Sequence, residues 1–276
     1  MLLMLLVLSA CGNNGVDSAE TLNEHETAPN TLESDVEPKS AAEKFRAPER
    51  PWDLAISPDG RIYCSTQGGN KLYIWDPVLE TRTEFERSIS DVQNILFDGD
   101  DTLYFTTTDN GVTGGLYRLE DNQPVELYTQ ADDGTLMRWP MDFVKSPNEE
   151  WVIADFQQGL FVVDATGTVT VRSSGSNKPQ GLLFVGDTLF VAGEDGIFRI
   201  EWPNGEPTLI DERPGLALVE VNGEVWSSNS SLGLFTVAGH PIGLTQAARP
   251  GSLLNTADGV YFADHVGEGV WLYEPE

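Results

Sequence analysis

The chain is 276 residues long and carries 44 Asp and Glu against 16 Lys and Arg, a net charge of −28 at neutral pH. A surface of that sign repels nucleic acid and anionic lipid headgroups, and no basic tract or nucleic-acid motif offsets it. Hydrophobic residues make up 40% of the chain, and their repeating arrangement favours one closed domain over two packed units.

At the amino terminus Leu2 to Leu8 is an apolar run of seven, far short of the roughly 20 residues that span a bilayer. It leads into Leu8-Ser9-Ala10-Cys11-Gly12, which resembles the bacterial lipobox, although the usual basic stretch before it is absent. That resemblance implies a signal peptide over residues 1–10, a lipidated Cys11 at the head of the mature chain, and a bacterial cell-envelope location. Several acyl chains on one cysteine hold more firmly than a single one, so the lipid is expected to be the sole and stable membrane contact. Gly12 after the cysteine implies the outer membrane, facing periplasm or cell surface, where the host has one. Residues 11–41 are rich in Asn, Ser, Thr, Glu and Pro, with too few apolar residues to offset their ordering entropy, and read as a flexible acidic tether.

From residue 42 to 276 the chain repeats. Short β-branched and aromatic segments such as Arg61-Ile62-Tyr63-Cys64-Ser65, Thr102-Leu103-Tyr104-Phe105-Thr106 and Gly259-Val260-Tyr261-Phe262-Ala263 are separated by Gly, Asp and Asn clusters. Each is followed by a second aromatic strand, marked by Tyr73, Tyr117, Phe161, Phe198, Phe235 and Trp271. These recur every 36 to 44 residues, the period of a four-stranded propeller blade. The expected fold is all-β, a six-bladed β-propeller. After Trp271-Leu272-Tyr273 too few residues remain for the last outer strand, so an N-terminal strand over Ala42 to Ala47 should complete blade six and close the ring.

Five of the six repeats begin with a cation beside a proline: Arg50-Pro51, Arg138-Trp139-Pro140, Lys178-Pro179, Arg213-Pro214 and Arg249-Pro250. In a propeller these positions share one rim with the loops between second and third strands. Arg50, Arg138, Lys178, Arg213 and Arg249 are therefore expected to converge at one channel mouth, where a small anionic ligand or an envelope partner protein would bind. The bland alternative is that Asp155, Glu194, Asp195 and Asp264 in neighbouring loops pair with them and tie blades together.

Catalytic motifs are sparse. Cys64, inside a strand, reads as a buried and inert thiol. His25 falls in the tether and His240 in an outer turn, which leaves His265 as the one histidine on the rim loops and the sole candidate acid or base. There is no HExxH, CxxC or glycine-rich phosphate loop, and the lone Trp75-Asp76 lacks its upstream Gly-His partner.

The run Trp52-Asp53-Leu54-Ala55-Ile56-Ser57-Pro58-Asp59-Gly60-Arg61-Ile62-Tyr63, and more loosely the stretch from Pro179 to Ala192, resembles the blades of gluconolactonase/regucalcin-like propellers and of NHL-repeat proteins. Lactonases of that family hold a divalent cation at the channel centre with Glu, Asn and Asp from different blades. Gln180 stands at the position resembling the Asn, and Pro214-Gly215-Leu216 at the position resembling the Asp, so that triad is broken. Asp53, Asn94 and Asp142, at the start of blades one to three, offer a different oxygen site for a cation such as Ca²⁺, though capping backbone groups is their more ordinary role. The first expectation is thus a lipid-anchored binding module. The alternatives are a metal-dependent lactonase-like hydrolase and an envelope scaffold without a small ligand.

Overall fold

The computed structural model describes residues 41–47, 50–67, 71–85, 92–109, 111–242, 249–267 and 269–275. Cys11 and the tether up to residue 40 lie outside the described residues. Every element among the described residues is a strand or a turn. The first described strand is β1 (Ala42–Arg46), and six antiparallel four-stranded sheets account for the 24 strands of the described residues. Blade one is β2 (Pro51–Ile56), β3 (Ile62–Thr66), β4 (Leu72–Asp76) and β5 (Thr81–Glu84). Blade two is β6 (Val92–Phe97), β7 (Leu103–Asp109), β8 (Thr113–Glu120) and β9 (Gln123–Tyr128). Blade three is β10 (Pro140–Lys145), β11 (Trp151–Asp155), β12 (Gly159–Val163) and β13 (Val169–Arg172). Blade four is β14 (Pro179–Val185), β15 (Thr188–Gly193), β16 (Gly196–Glu201) and β17 (Thr208–Asp211). Blade five is β18 (Leu218–Val221), β19 (Glu224–Asn229), β20 (Gly233–Thr236) and the two-residue β21 (Pro241–Ile242). Blade six is β22 (Pro250–Thr256), β23 (Gly259–Asp264) and β24 (Gly269–Tyr273), and β1 is its outermost strand.

Closure follows the expectation from the sequence. β1 pairs with β24, setting Ala42 against Leu272 and Arg46 against Gly269. Phe45 and Ala47 are buried in a cluster with Leu54, Tyr73, Trp75, Tyr261 and Val270, where Phe45 stacks on Trp75 at 5.2 Å. The first and last blades are therefore joined by both a strand ladder and an apolar contact.

Apolar clusters fill the spaces between adjacent blades. Leu116, Phe143, Trp151, Ile153 and Phe161 pack between blades two and three, and Val152, Leu160, Leu182, Leu189 and Trp202 between blades three and four. Strand alternation explains this, since Trp151 and Ile153 face one neighbour while Val152 and Ala154 face the other.

The innermost strand of each blade is an edge whose free side faces the central channel. Pro51, Pro140, Pro179 and Pro250 open four of these strands, a position where a missing N–H is tolerated. Directly after that point the register slips, between Pro51 and Leu54, Val92 and Ile95, Pro140 and Asp142, Pro179 and Gly181, and Pro250 and Leu253. Such bulges turn side chains out of the regular alternation and aim them at the channel.

Candidate functional site

Superposing the strand registers gives a ring. Asp53, Asn94, Asp142, Gly181, Ala217 and Ser252 occupy equivalent positions, five of them on β2, β6, β10, β14 and β22 and Ala217 directly before β18. All but Gly181 line a channel cavity of about 490 Å³, together with Trp52, Met141, Gln180, Gly251 and His265 on its mouth side.

The ring is wired from blade to blade. Asp53 Oδ2 accepts the Ile95 N–H of the next blade at 2.8 Å, Asp142 Oδ2 accepts Leu182 N–H at 2.7 Å, and Ser252 Oγ accepts Leu54 N–H at 3.2 Å. Ser252 also donates to Asp53 Oδ1 at 2.5 Å. Asp53 and Asp142 thus cap exposed backbone donors of inner edge strands. Gly181 and Ala217 have no side-chain acceptor to offer, and at Asn94 the pattern breaks in a different way. By symmetry Asn94 should accept the Phe143 N–H, but that group donates to the adjacent Asp142 Oδ1 at 2.7 Å. Asn94 hydrogen-bonds to Asp53, while its Oδ1 is buried without any partner.

Enclosure shifts the acids. Burial pushes the Asp53 carboxyl up to about 6 against the donors that favour its ionised form. Burial, with the nearby Asp53 charge second, raises Asp142 well above the usual carboxylate range. Asp142 is half-buried and lines the channel.

His265 sits at the mouth, on the turn after β23. Its ring stacks on Trp52 at 4.5 Å, nearly parallel, and lies so close to β22 that a Cβ on Gly251 would fall 1.7 Å from Nε2. Nε2 is 3.1 Å from the Trp52 carbonyl oxygen, which can only accept, so Nε2 carries the proton and Nδ1 keeps its lone pair. Burial holds the imidazole below its ordinary pKa, and it is neutral at pH 7.

The five rim cations stand at the strand starts, but none lines the channel cavity. Lys178 pairs with Glu194 at 2.7 Å, and its ammonium lies 5.1 Å from the Phe156 ring centre. Arg213 points away from the channel. It binds Asp211 of blade four and the Thr236 carbonyl of blade five, with its guanidinium 4.2 Å from the centre of the Phe235 ring. Burial would raise Asp211, but the Arg213 bonds and charge outweigh it and hold that carboxyl below the usual range. This is the blade-tying role weighed against a ligand role. Among the described residues, Arg50, Arg138 and Arg249 have no acid within ion-pair distance.

Asp155 and Asp264, two acids expected to neutralise the ring, are instead buried caps. Asp155 accepts the backbone N–H groups of Arg138, Trp139, Gln157 and Gln158, and Asp264 those of Arg249, Val266 and Gly267. Each fixes the start of an inner strand to the neighbouring turn. Cys64 is fully buried, and burial together with the Asp53 charge raises its thiol pKa far above the ordinary value.

No cluster of three or more His, Cys, Asp or Glu side chains is arranged to hold a metal among the described residues. Sequence reasoning did not single out Ser252, Trp52 or Gly251. Ser252 could have been found by aligning the repeats on their prolines, since it stands two residues after Pro250 as Asp53 stands two after Pro51 and Asp142 two after Pro140.

Comparison with solved structures follows the architecture. A gluconolactonase from Xanthomonas campestris superposes with a TM-score of 0.70 at 12% identity, over 84% of this chain and 88% of that one. A PQQ-bound aldose sugar dehydrogenase from Streptomyces coelicolor gives 0.62 at 14% identity, over 84% and 95% of the two chains. A catalytically inactive histidine-to-alanine variant of virginiamycin B lyase from Staphylococcus aureus, bound to quinupristin, gives 0.61 at 14% identity, over 84% and 97%. What they share with this chain is the fold. The expected likeness to gluconolactonase-type propellers holds at that level. No family model and no curated protein sequence matches the chain.

Proposed function

We propose that the protein binds a small molecule in its central channel, with an oxygen-bearing head group beside Asp53, Asn94, Asp142 and His265. The observation that carries this reading is the unpartnered Asn94 Oδ1, buried in the channel wall where the Phe143 N–H turns to Asp142 instead. A native structure rarely leaves such an oxygen unpaired, and its desolvation is normally offset by a donor or a cation. Two carboxylates and an amide oxygen fit a hard divalent cation such as Ca²⁺, which Asp53, Asn94 and Asp142 would hold. When bound, the ion would supply a positive charge that polarises a ligand oxygen. Calorimetric titration with Ca²⁺ tests this, with one saturable site expected in the native chain and none in Asn94→Ala. Absence of heat and of any thermal shift on adding Ca²⁺ overturns the cation part of the reading.

In the hydrolase version of the same reading, His265 uses its free Nδ1 to take a proton from water attacking an ester or lactone carbonyl. The similar structures include a gluconolactonase and a lyase whose histidine-to-alanine variant is inactive, which favours assaying for turnover. Activity removed by a chelator and restored by Ca²⁺ marks an enzyme, and saturable binding without turnover marks a binding module.

A second reading rests on Arg50, Arg138 and Arg249, which have no acid partner among the described residues. These side chains would take a small anion or an acidic envelope partner at the mouth. Sulfate binding that weakens with salt and disappears in Arg138→Gln/Arg249→Gln supports it, and binding unchanged by the double substitution removes it. Both readings place the propeller on the bacterial envelope through a lipid on Cys11. Fatty-acid labelling that persists in Cys11→Ser removes that anchor.

A further inference from the structure

Below the polar ring the channel changes character within one residue step. The six equivalent positions that follow the ring are Leu54, Ile95, Phe143, Leu182, Leu218 and Leu253, all buried between blades. The next six are Ala55, Leu96, Val144, Leu183, Val219 and Leu254, again without a polar atom in any side chain. The third row is mixed, with Ile56 and Phe97 level with Glu220 and Asn255 at the far end of the channel. Leu96, Phe97, Val144, Leu183 and Leu254 keep part of their surface accessible, and Ile56 is 40% exposed. Apolar surface left uncovered along the channel is surface that a ligand can cover.

We infer that the ligand of this channel is amphiphilic, with an oxygen-bearing head at the Asp53–Asn94–Asp142 ring and an unbranched apolar tail running toward Ile56 and Phe97. The inference rests on the channel-binding reading and adds the substrate class. A polyhydroxylated sugar acid satisfies the ring but leaves its remaining hydroxyls against two apolar rows, where hydroxyls without partners are costly. A purely apolar molecule leaves the Asn94 oxygen unpaired. One molecule with both characters matches both halves. The cavity, about 490 Å³, excludes a folded peptide. From the ring to Ile56 is three residues of strand, about 10 Å, the length of roughly eight methylenes in an extended chain.

Calorimetric titration of straight-chain γ-lactones with tails from methyl to undecyl, in the presence of Ca²⁺, tests the inference, with gluconolactone as the tail-free polar probe. Affinity is expected to rise about fourfold per added methylene up to about eight carbons and then level off. Leu183→Asn and Ile56→Gln should flatten this series and leave the methyl-tailed lactone unchanged. Ile56, already 40% exposed, accepts a polar side chain without unfolding, so it keeps the test sharp if Leu183→Asn proves unstable. Affinity independent of tail length, or gluconolactone binding as tightly as the octyl probe, overturns the amphiphile while leaving the head-group site standing. A length dependence that survives both substitutions places the tail outside the channel and also overturns it. Failure of every probe to bind overturns this inference together with the channel-binding reading.

Discussion

Replacing Asp53 by Asn should stabilise the propeller at pH 7.5 and leave it unchanged at pH 4. The Asp53 carboxyl is enclosed, and burial raises its pKa from 3.8 to about 6. The folded protein therefore holds the Asp53 proton more tightly than the unfolded chain does. Its contribution to stability is fully present below about pH 4 and is lost as the pH rises through 6. A shift of about two units corresponds to about 3 kcal/mol, the upper bound for the loss between pH 4 and 7.5. Asp142 adds a loss of the same sign. An Asn at position 53 keeps the geometry, because its oxygen can accept the Ile95 N–H and its amide can donate to Ser252 Oγ. It removes only the ionisation. Urea unfolding followed by tryptophan fluorescence, in chelator-containing buffer at pH 4, 6 and 7.5, measures the difference between the two proteins. The variant should gain steadily over the native protein across that range. A difference that stays constant with pH, or a native protein more stable than Asp53→Asn at pH 7.5, would refute the claim that the buried carboxyl is costly to ionise.

Arg213→Gln strands the buried Asp211 carboxylate between blades four and five and should cost about 3 kcal/mol by chemical denaturation. Arg249→Gln, with an exposed side chain and no acid partner among the described residues, should cost less than about 0.5 kcal/mol. Equal losses would show that the two cations do the same work. Phe45→Ala removes the closing strand's apolar contact with Trp75 and should cost about 3 kcal/mol, and deleting residues 42–47 should abolish cooperative unfolding. A truncated chain that still melts in one sharp transition would contradict closure by β1. Gly251→Ala places a Cβ at 1.7 Å from His265 Nε2 and should break the stack on Trp52, seen as a loss of ring-current shifts on the His265 protons in NMR spectra. Unchanged shifts would mean that the β22 backbone yields instead.

The architecture was legible because it rests on a repeated pattern. Aromatic strand centres, Gly- and Asp-rich turns and a short tail after Tyr273 were enough to count the blades and place β1. Site chemistry was legible only in part. Asp53, Asn94 and Asp142 could be picked out as channel oxygens from their place at the start of each blade, but not Asn94 as the unsatisfied one. That depends on which neighbour takes the Phe143 N–H, a matter of a bulge and a rotamer. The cation ring was legible only in part for a related reason. Arg213 and Lys178 share a sequence position with Arg50 and Arg249, but a long side chain can swing to whichever partner its local turn provides. Asp211 and Glu194 capture two of the five. The acids thought to neutralise the others, Asp155 and Asp264, are occupied by backbone N–H groups, a competition that one-dimensional spacing does not reveal.

The central claim, a small molecule held in the channel with its head at the polar ring, is tested most directly by a crystal structure grown with Ca²⁺ and a γ-lactone bearing an octyl tail. Density for the ion among Asp53, Asn94 Oδ1 and Asp142, with the lactone oxygen beside it and the tail along Leu183 and Leu254, is the predicted result. A well-ordered channel that contains only water at saturating ligand, or a ligand bound on the outer rim beside Arg138 and Arg249, would contradict it.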